Sequence, residues 1–129
     1  MKHVLIVDDD SDLLKLTQAF VNAAVAVDDS QSLSEAEKLI NDQKYDLILL
    51  DLLFPDSNAL QTIRNIRKTN SLNSETPVIV LTNLDSGEIT KKAIEYGANE
   101  LLFKATHTPK TIFEAAMKFA KNKTSGNNH

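Results

Sequence analysis

The chain has 129 residues, of which 42% are hydrophobic and 25% charged, and this composition is typical of a folded globular domain rather than a disordered or fibrous one. The absence of cysteine excludes disulfide bonds, thiol catalysis and cysteine-ligated zinc. The formal net charge is -4, and the 14 Lys and Arg residues are spread along the sequence, so no basic patch for nucleic acid is predicted. No apolar run is long enough for a membrane span or a secretory signal, and we expect a cytoplasmic location.

Five short aliphatic runs alternate with amphipathic segments along the chain. This alternation predicts an α/β fold in which helices cover both faces of a parallel sheet. In chain order, strands are predicted at 3–7, 24–27, 47–50, 78–81 and 101–103. Apolar residues at helical spacing predict helices within 13–24, 33–40, 60–66, 86–96 and 109–121. We expect one domain over residues 1–122, followed by a flexible tail or linker over 123–129.

Polar residues follow four of the five predicted strands. Asp8 and Asp9 follow the first, Asp51 the third, Thr82 the fourth and Lys104 the fifth. The carboxyl ends of parallel strands lie at one edge of the sheet, where such folds bind ligands. Three carboxylates held together raise one another's pKa values unless a cation lies among them, and hard oxygen ligands suit Mg2+. The pattern therefore predicts a magnesium site.

A carboxylate, a hydroxyl and an ammonium around Mg2+ form a site suited to phosphoryl transfer, which depends mainly on positioned charges. Asp51 is then the nucleophile that accepts the phosphoryl group, and Thr82 and Lys104 each bind one phosphoryl oxygen. Taken alone, the Asp run before a helix is more often a helix cap, and Asp10 and Ser11 are predicted to cap. The joint occurrence of all these groups at strand ends favours the site.

Four segments carry a resemblance to a known family: "VLIVDDD" at 4–10, "YDLILLDLLFPDSNAL" at 45–60, "PVIVLTN" at 77–83 and "GANELLFKA" at 97–105. In order and spacing they resemble the receiver domains of two-component response regulators, over essentially the whole chain up to about residue 122. The resemblance implies a doubly wound (βα)5 flavodoxin-like fold. This fold is a three-layer sandwich with a five-stranded parallel sheet in the order 2-1-3-4-5.

The resemblance also implies the ligands of the metal. Asp9 and Asp51 would coordinate Mg2+ directly, Asp8 mostly through water, and the backbone carbonyl of Leu53 would supply a further ligand. The three histidines of the chain have no spacing that suggests a metal site, and we predict structural or incidental roles for them.

The same resemblance implies partners. Asp51 would receive the phosphoryl group from a phosphohistidine on a sensor histidine kinase or histidine phosphotransfer protein. Lys104 would pair with the group, and Thr82 would move toward it. The surface of the fourth helix, fifth strand and fifth helix would then bind a downstream protein effector, with no direct contact to nucleic acid or membrane. Such a domain is a phosphoacceptor that assists its own phosphorylation and dephosphorylation rather than an enzyme, and we expect a monomer or weak dimer.

Several positions depart from the family pattern, and three of them bear most on the site. Ala105 stands where a proline with a cis bond usually follows the lysine, and a cis bond to a non-proline residue costs about 2.5–4 kcal/mol. The loop after Lys104 therefore either bears that strain or takes another path. Leu101 replaces the usual aromatic switch residue, and Asn83 stands where a small residue usually follows Thr82, which could narrow access to the phosphoacceptor.

Two other classes of function compete with a phosphoacceptor. A receiver-like docking module that no longer uses phosphate would need no acidic pocket, so retention of Asp8, Asp9 and Asp51 disfavours it. A haloacid-dehalogenase-like phosphatase needs a second Asp two residues after its nucleophile, and Leu53 occupies that place. A flavin carrier is less favoured, because no loop rich in Ser, Thr or Gly follows the first strand.

Overall fold

A computed structural model describes residues 2–8, 13–52, 59–82 and 87–126 of the chain. Within these ranges, strands alternate with helices as the sequence predicts. In chain order the elements are β1 (His3–Val7), α1 (Leu13–Asn22), β2 (Ala26–Ser30), α2 (Leu33–Asp42), β3 (Leu47–Asp51), α3 (Ala59–Ile66), β4 (Val78–Thr82), α4 (Gly87–Tyr96), β5 (Glu100–Phe103) and α5 (Pro109–Gly126), with a short 3-10 helix (Lys104–Thr106) before α5. Among the helices described here, none has the length and apolar character needed to cross a membrane.

The strands form one sheet in the order β2-β1-β3-β4-β5, and every neighbouring pair is parallel. The predicted fold class and strand order are confirmed. In the register of the sheet, Val7 pairs with Leu50, and Thr82 pairs with Phe103. The carboxyl ends of β1, β3, β4 and β5 therefore lie side by side along one edge.

Both faces of the central strands are buried, which explains their continuous aliphatic sequences. Successive side chains of a strand point to opposite faces and so supply two separate cores. One core, against α2, α3 and α4, contains Leu5, Val7, Ile48, Leu50, Val78 and Val80. The other, against α1 and α5, contains Val4, Ile6, Leu47, Leu49, Ile79 and Leu81. The result is the expected three-layer sandwich.

The predicted bounds of the second strand and the fifth helix differ most from the structure. The second strand lies at Ala26–Ser30 rather than 24–27, because an edge strand is exposed on one side and tolerates Asp28 and Asp29 in its sequence. Helix α5 continues to Gly126 instead of ending at residue 121, since no glycine or proline interrupts it earlier. Residues 127–129 of the predicted tail lie outside the described residues.

Helices α1 and α4 end in the same way. After α1, the Ala24 N–H donates to the Val21 carbonyl and the Val25 N–H to the Phe20 carbonyl, with Ala24 at φ 61°. After α4, equivalent bonds surround Gly97, which has a φ of 124°. Both are Schellman caps, and the residue with positive φ is usually glycine because a Cβ atom is unfavourable there. This cap ends α1 before residue 24.

Ala24→Gly is expected to raise the free energy of unfolding by about 0.5–1 kcal/mol, since it removes the left-handed strain at a small entropic cost. Gly97→Ala is the matched opposite: its new Cβ would lie 2.6 Å from Cγ of Arg67, and we expect a loss of at least about 1 kcal/mol. Urea denaturation of both variants measures the two changes. Destabilisation by Ala24→Gly would contradict this account of the α1 cap.

Candidate functional site

Three of the polar residues predicted at strand ends are buried along the carboxyl edge of the sheet. Asp8 follows β1, Asp51 ends β3 and Thr82 ends β4, and they are only 1%, 2% and 1% exposed. Burial of a carboxylate or hydroxyl is unfavourable unless other polar groups or ions compensate it. These residues therefore mark a polar pocket at the edge of an otherwise aliphatic sheet.

Sheet hydrogen bonds fix the backbone at this edge. The Asp8 N–H donates to the Ser30 carbonyl at 3.0 Å, which extends the pairing of β1 with β2. The Leu52 N–H donates to the Leu81 carbonyl at 3.1 Å, which extends the pairing of β3 with β4. The backbones on either side of the pocket are therefore parts of the rigid sheet, and the carboxylates project from fixed positions.

The Lys104 ammonium lies between the two carboxylates. Its Nζ atom is 2.7 Å from Oδ2 of Asp8 and 3.2 Å from Oδ2 of Asp51, and its side chain is only 10% exposed. One cation thus forms ion pairs with acidic groups from two different strands. The sequence prediction that Asp8, Asp51 and Lys104 meet at one site agrees with this geometry.

The charges of the described groups in the pocket do not balance. Two carboxylates and one ammonium leave one negative charge among these three groups at neutral pH. Burial by itself would lower the pKa of Lys104, but its hydrogen bonds and charge interactions with Asp8 and Asp51 outweigh burial and raise the pKa above its ordinary value. Lys104 therefore stays protonated, and the pocket can accept a further positive charge.

The chain after Lys104 does not contain the cis bond to proline that the resemblance leads one to expect at this position. The described residues contain no cis peptide bond, so the bond between Lys104 and Ala105 is trans. Lys104 instead begins the 3-10 helix, which reverses the chain before α5. The lysine still reaches the carboxylates, so proline is not needed for this placement.

The donors that the structure describes fit a hard divalent cation. The carboxylate oxygens of Asp8 and Asp51 are of the type that Mg2+ prefers, and the leftover negative charge favours a cation beside them. No group of three or more acidic or histidine ligands occurs among the described residues. Asp9 and Leu53, which the sequence adds to the metal ligands, lie outside the described residues, as do Asp10, Ser11 and Asn83.

Sequence reasoning predicted only a structural or incidental role for His107, which follows the 3-10 helix. The residue lines a narrow crevice together with Asp8, Lys104, Leu16, Leu81, Pro109 and Ile112. The signal that could have indicated it is its position three residues after a lysine that lacks the usual proline.

Comparison with known proteins places the chain in a family. The model of the response regulator receiver domain matches residues 4–116. The chain belongs to the response regulator receiver domain family. The resemblance seen in the sequence is thereby confirmed, and with it the coarse function of a receiver domain in two-component systems.

Relatives of the receiver domain include longer proteins. The transcriptional regulatory protein CpxR of Klebsiella pneumoniae is 34% identical over 107 residues, which cover 79% of this chain and 42% of CpxR. The chain thus spans less than half the length of this relative. Among solved structures, a CheY-like receiver domain from Methanospirillum hungatei JF-1 has a TM-score of 0.88 at 22% identity, with 98% of both chains covered. At that identity the likeness supports the fold alone.

A second solved structure is a response regulator from Burkholderia pseudomallei with a phosphorylated aspartic acid, a calcium ion and citrate. It has a TM-score of 0.79 at 23% identity and covers 99% of this chain and 74% of the other. This likeness, too, supports the fold of the receiver domain alone.

Removal of the Lys104 ammonium should destabilise the metal-free receiver domain. Lys104→Met leaves the Asp8 and Asp51 carboxylates buried without their shared ammonium, and we expect a loss of about 3–5 kcal/mol at pH 7. Asp51→Asn is the matched variant, because it keeps the Asp8–Lys104 pair and relieves repulsion, so its stability should be unchanged or higher. Chemical denaturation without divalent cations compares them. Equal losses in both variants would contradict the shared-ammonium account.

The raised pKa of Lys104 predicts a pH window for this contribution. Below the pKa of an unfolded lysine, about 10.4, the ammonium is protonated in both states and the stabilisation is complete. As the pH rises further, the unfolded chain loses its proton first, so stability falls until the folded pKa is passed. We expect the stability gap between the wild type and Lys104→Met to be constant from pH 7 to about pH 10 and to shrink above it. A gap that closes near neutral pH would contradict the ion pair.

Proposed function

We propose that this receiver domain is a Mg2+-dependent phosphoacceptor, in which Asp51 takes a phosphoryl group from a phosphohistidine of a sensor histidine kinase or histidine phosphotransfer protein. The observation that carries the proposal is the pairing of a buried Asp51 carboxylate with Lys104 in a pocket that also holds Asp8 and retains a negative charge. A purely structural ion pair would not require a second buried carboxylate at the same ammonium.

In the transfer, a carboxylate oxygen of Asp51 forms a bond to phosphorus as the phosphorus–nitrogen bond of the phosphohistidine breaks. The electron pair of the broken bond stays with the imidazole nitrogen, which leaves as neutral imidazole when its other nitrogen carries a proton. The product on this chain is an acyl phosphate. Lys104 already lies 3.2 Å from the Asp51 carboxylate, so its ammonium is placed to bind one of the phosphoryl oxygens.

We assign the metal to Asp8, Asp9, Asp51 and the backbone carbonyl of Leu53. When bound, Mg2+ would neutralise charge on the phosphoryl oxygens and on the crowded carboxylates. The donor types and the leftover negative charge of the described pocket support this assignment. The bound calcium ion and phosphorylated aspartic acid named for the Burkholderia response regulator support the same chemistry in a protein of this fold.

Thr82 is the proposed link between the phosphoryl group and the surface. It is buried at the end of β4, next to β3, and pairs in register with Phe103 of β5. Movement of its hydroxyl toward the phosphoryl group would shift the chain between two states and change the face of α4, β5 and α5. On this face Leu101 is half-buried and packs against the core, so a rotating aromatic side chain is replaced by an aliphatic contact.

The partners follow from this role. The chain acts as a phosphoacceptor that assists its own phosphorylation and dephosphorylation, rather than as an enzyme with a separate substrate. It works in the cytoplasm as a monomer or weak dimer, and the face of α4, β5 and α5 binds a downstream protein effector. We assign contact with nucleic acid to other domains or chains. This domain has a net negative charge, and it matches less than half the length of the transcriptional regulator CpxR.

The first test is the intact mass after incubation with Mg2+ and acetyl phosphate. The wild type should gain one phosphoryl group, and it should gain none without divalent cation or in Asp51→Asn. Asp42→Asn is the control, since this exposed acid ends α2 before the chain enters β3, at the opposite end of the strands from the pocket, and its removal should leave the gain unchanged.

Uptake that persists in Asp51→Asn would show that another residue accepts the group and would contradict the assignment. Absence of uptake in the wild type would be followed by Asn83→Ala, which shortens the side chain next to Thr82 in the sequence. Recovery would attribute the failure to donor access, whereas continued absence would favour the docking module that binds partners without phosphate.

A further inference from the structure

Two side chains converge on the carbonyl that precedes Lys104. The hydroxyl of Thr106 donates to the Phe103 carbonyl oxygen at 3.2 Å, and Nδ1 of His107 lies 3.0 Å from the same oxygen. Nδ1 is also 3.1 Å from the Thr106 hydroxyl. A carbonyl oxygen can only accept, so we assign to His107 the tautomer with the hydrogen on Nδ1, in which the three groups form a closed triangle.

The triangle supports a turn that its backbone holds weakly. The backbone bond that closes the 3-10 helix, from the His107 N–H to the Lys104 carbonyl, is long at 3.4 Å. Helix α5 begins directly afterwards with a reciprocal cap between Thr108 and Thr111, whose side-chain hydroxyls each accept the other's N–H. The side-chain bonds to Phe103 therefore tie the fixed start of α5 to the end of β5.

The Phe103 carbonyl belongs to the peptide group that Lys104 completes. Its orientation sets the direction in which the Lys104 side chain leaves the backbone. Because that side chain is long, a small rotation of this peptide group would displace Nζ from the two carboxylates. The turn carries no cis bond and no proline, so nothing in its covalent structure fixes this direction.

We propose that Thr106 and His107 are positioning residues that hold the Lys104 ammonium between Asp8 and Asp51, in place of the proline that usually follows this lysine in the family. His107 also lines the crevice between α1 and α5 that Asp8 and Lys104 line. The effect on phosphoryl uptake rests on the proposed function, whereas the effect on the placement of Lys104 does not.

The placement is tested by acetylation of the metal-free protein with acetic anhydride, measured by mass spectrometry of peptides. Exposed Lys44 serves as the internal reference. Thr106→Val combined with His107→Leu removes both hydrogen-bonding groups at similar size and should raise the acetylation of Lys104 relative to Lys44 at least about threefold. Thr106→Ser combined with His107→Asn keeps a hydroxyl and an amide N–H near the Nδ1 position, and it should stay close to the wild type. Equal acetylation in all three proteins would overturn the proposal.

The second arm measures the rate of Asp51 phosphorylation by acetyl phosphate. Phosphorylation of the variant with Thr106→Val and His107→Leu should be slowed about tenfold, because displacement of a charged group by a fraction of a bond length weakens its transition-state contact. The same pair of substitutions in a Lys104→Met background should cause no further slowing, since the effect acts through the lysine. Equal slowing in both backgrounds would overturn the proposal and indicate a general loosening of the loop.

Urea denaturation of each variant confirms that it is folded under the conditions of the assays. Absence of uptake in the wild type would contradict the proposed function, and the acetylation result would still decide whether Thr106 and His107 position Lys104. Failure of the two proposals can thus be told apart.

Discussion

The ammonium of Lys104, shared by Asp8 and Asp51, is the interaction on which the site depends. The carboxylates at the ends of β1 and β3 can remain buried side by side because the Lys104 ammonium, from the turn after β5, lies within hydrogen-bonding distance of both. One cation does not balance two anions, however, and these three described groups together keep one negative charge. This negative charge would be unfavourable in a purely structural cluster, whereas it suits the proposed binding of a divalent metal ion.

The sheet makes this arrangement possible through strand order. Strand β3 lies between β1 and β4, and β5 pairs with β4, so residues far apart in the sequence meet at one edge. Asp51 and Lys104 are 53 positions apart, yet their side chains form a direct hydrogen bond. Both cores lie beneath the pocket and fix its backbone, whereas Lys104 comes from a loop, and the placement of the lysine therefore needs support of its own.

Near the amino-terminal ends of β3 and β4, at the other end of the strands, Asn73 and Arg67 form hydrogen bonds that stabilise the fold. Buried Asn73 bonds to the Tyr45 N–H, the Thr76 hydroxyl and the carbonyls of Ile40 and Gln43. Arg67 donates to backbone carbonyls and to an Asn side chain, and burial lowers its pKa. Its neutral acceptors satisfy the guanidinium without an acidic partner among the described residues. These contacts hold the connection between α3 and β4 and keep the strands in register at the end away from the pocket.

The sequence by itself determined the fold class, the strand order through its family resemblance, and the edge at which polar residues gather. It could do so because buried central strands require continuous aliphatic runs, and because the residues that end them stand out against those runs. It failed at the margins. The edge strand β2 contains two aspartates and looks like a loop, and α1 ends at a Schellman cap that Ala24 forms without the usual glycine.

Only the tertiary structure decided how Lys104 reaches its partners. From the sequence, Ala105 left two paths open for the loop, and the structure has a trans bond and a 3-10 helix. It also decided that Thr106 and His107 meet at the Phe103 carbonyl, and that Asn73 and Arg67 form their hydrogen bonds at the other end of the strands. Such contacts depend on the direction of side chains in space, and a sequence pattern shows only spacing along the chain. Periodicity reveals which residues are buried, whereas the polar partner of a given side chain is fixed by packing between elements.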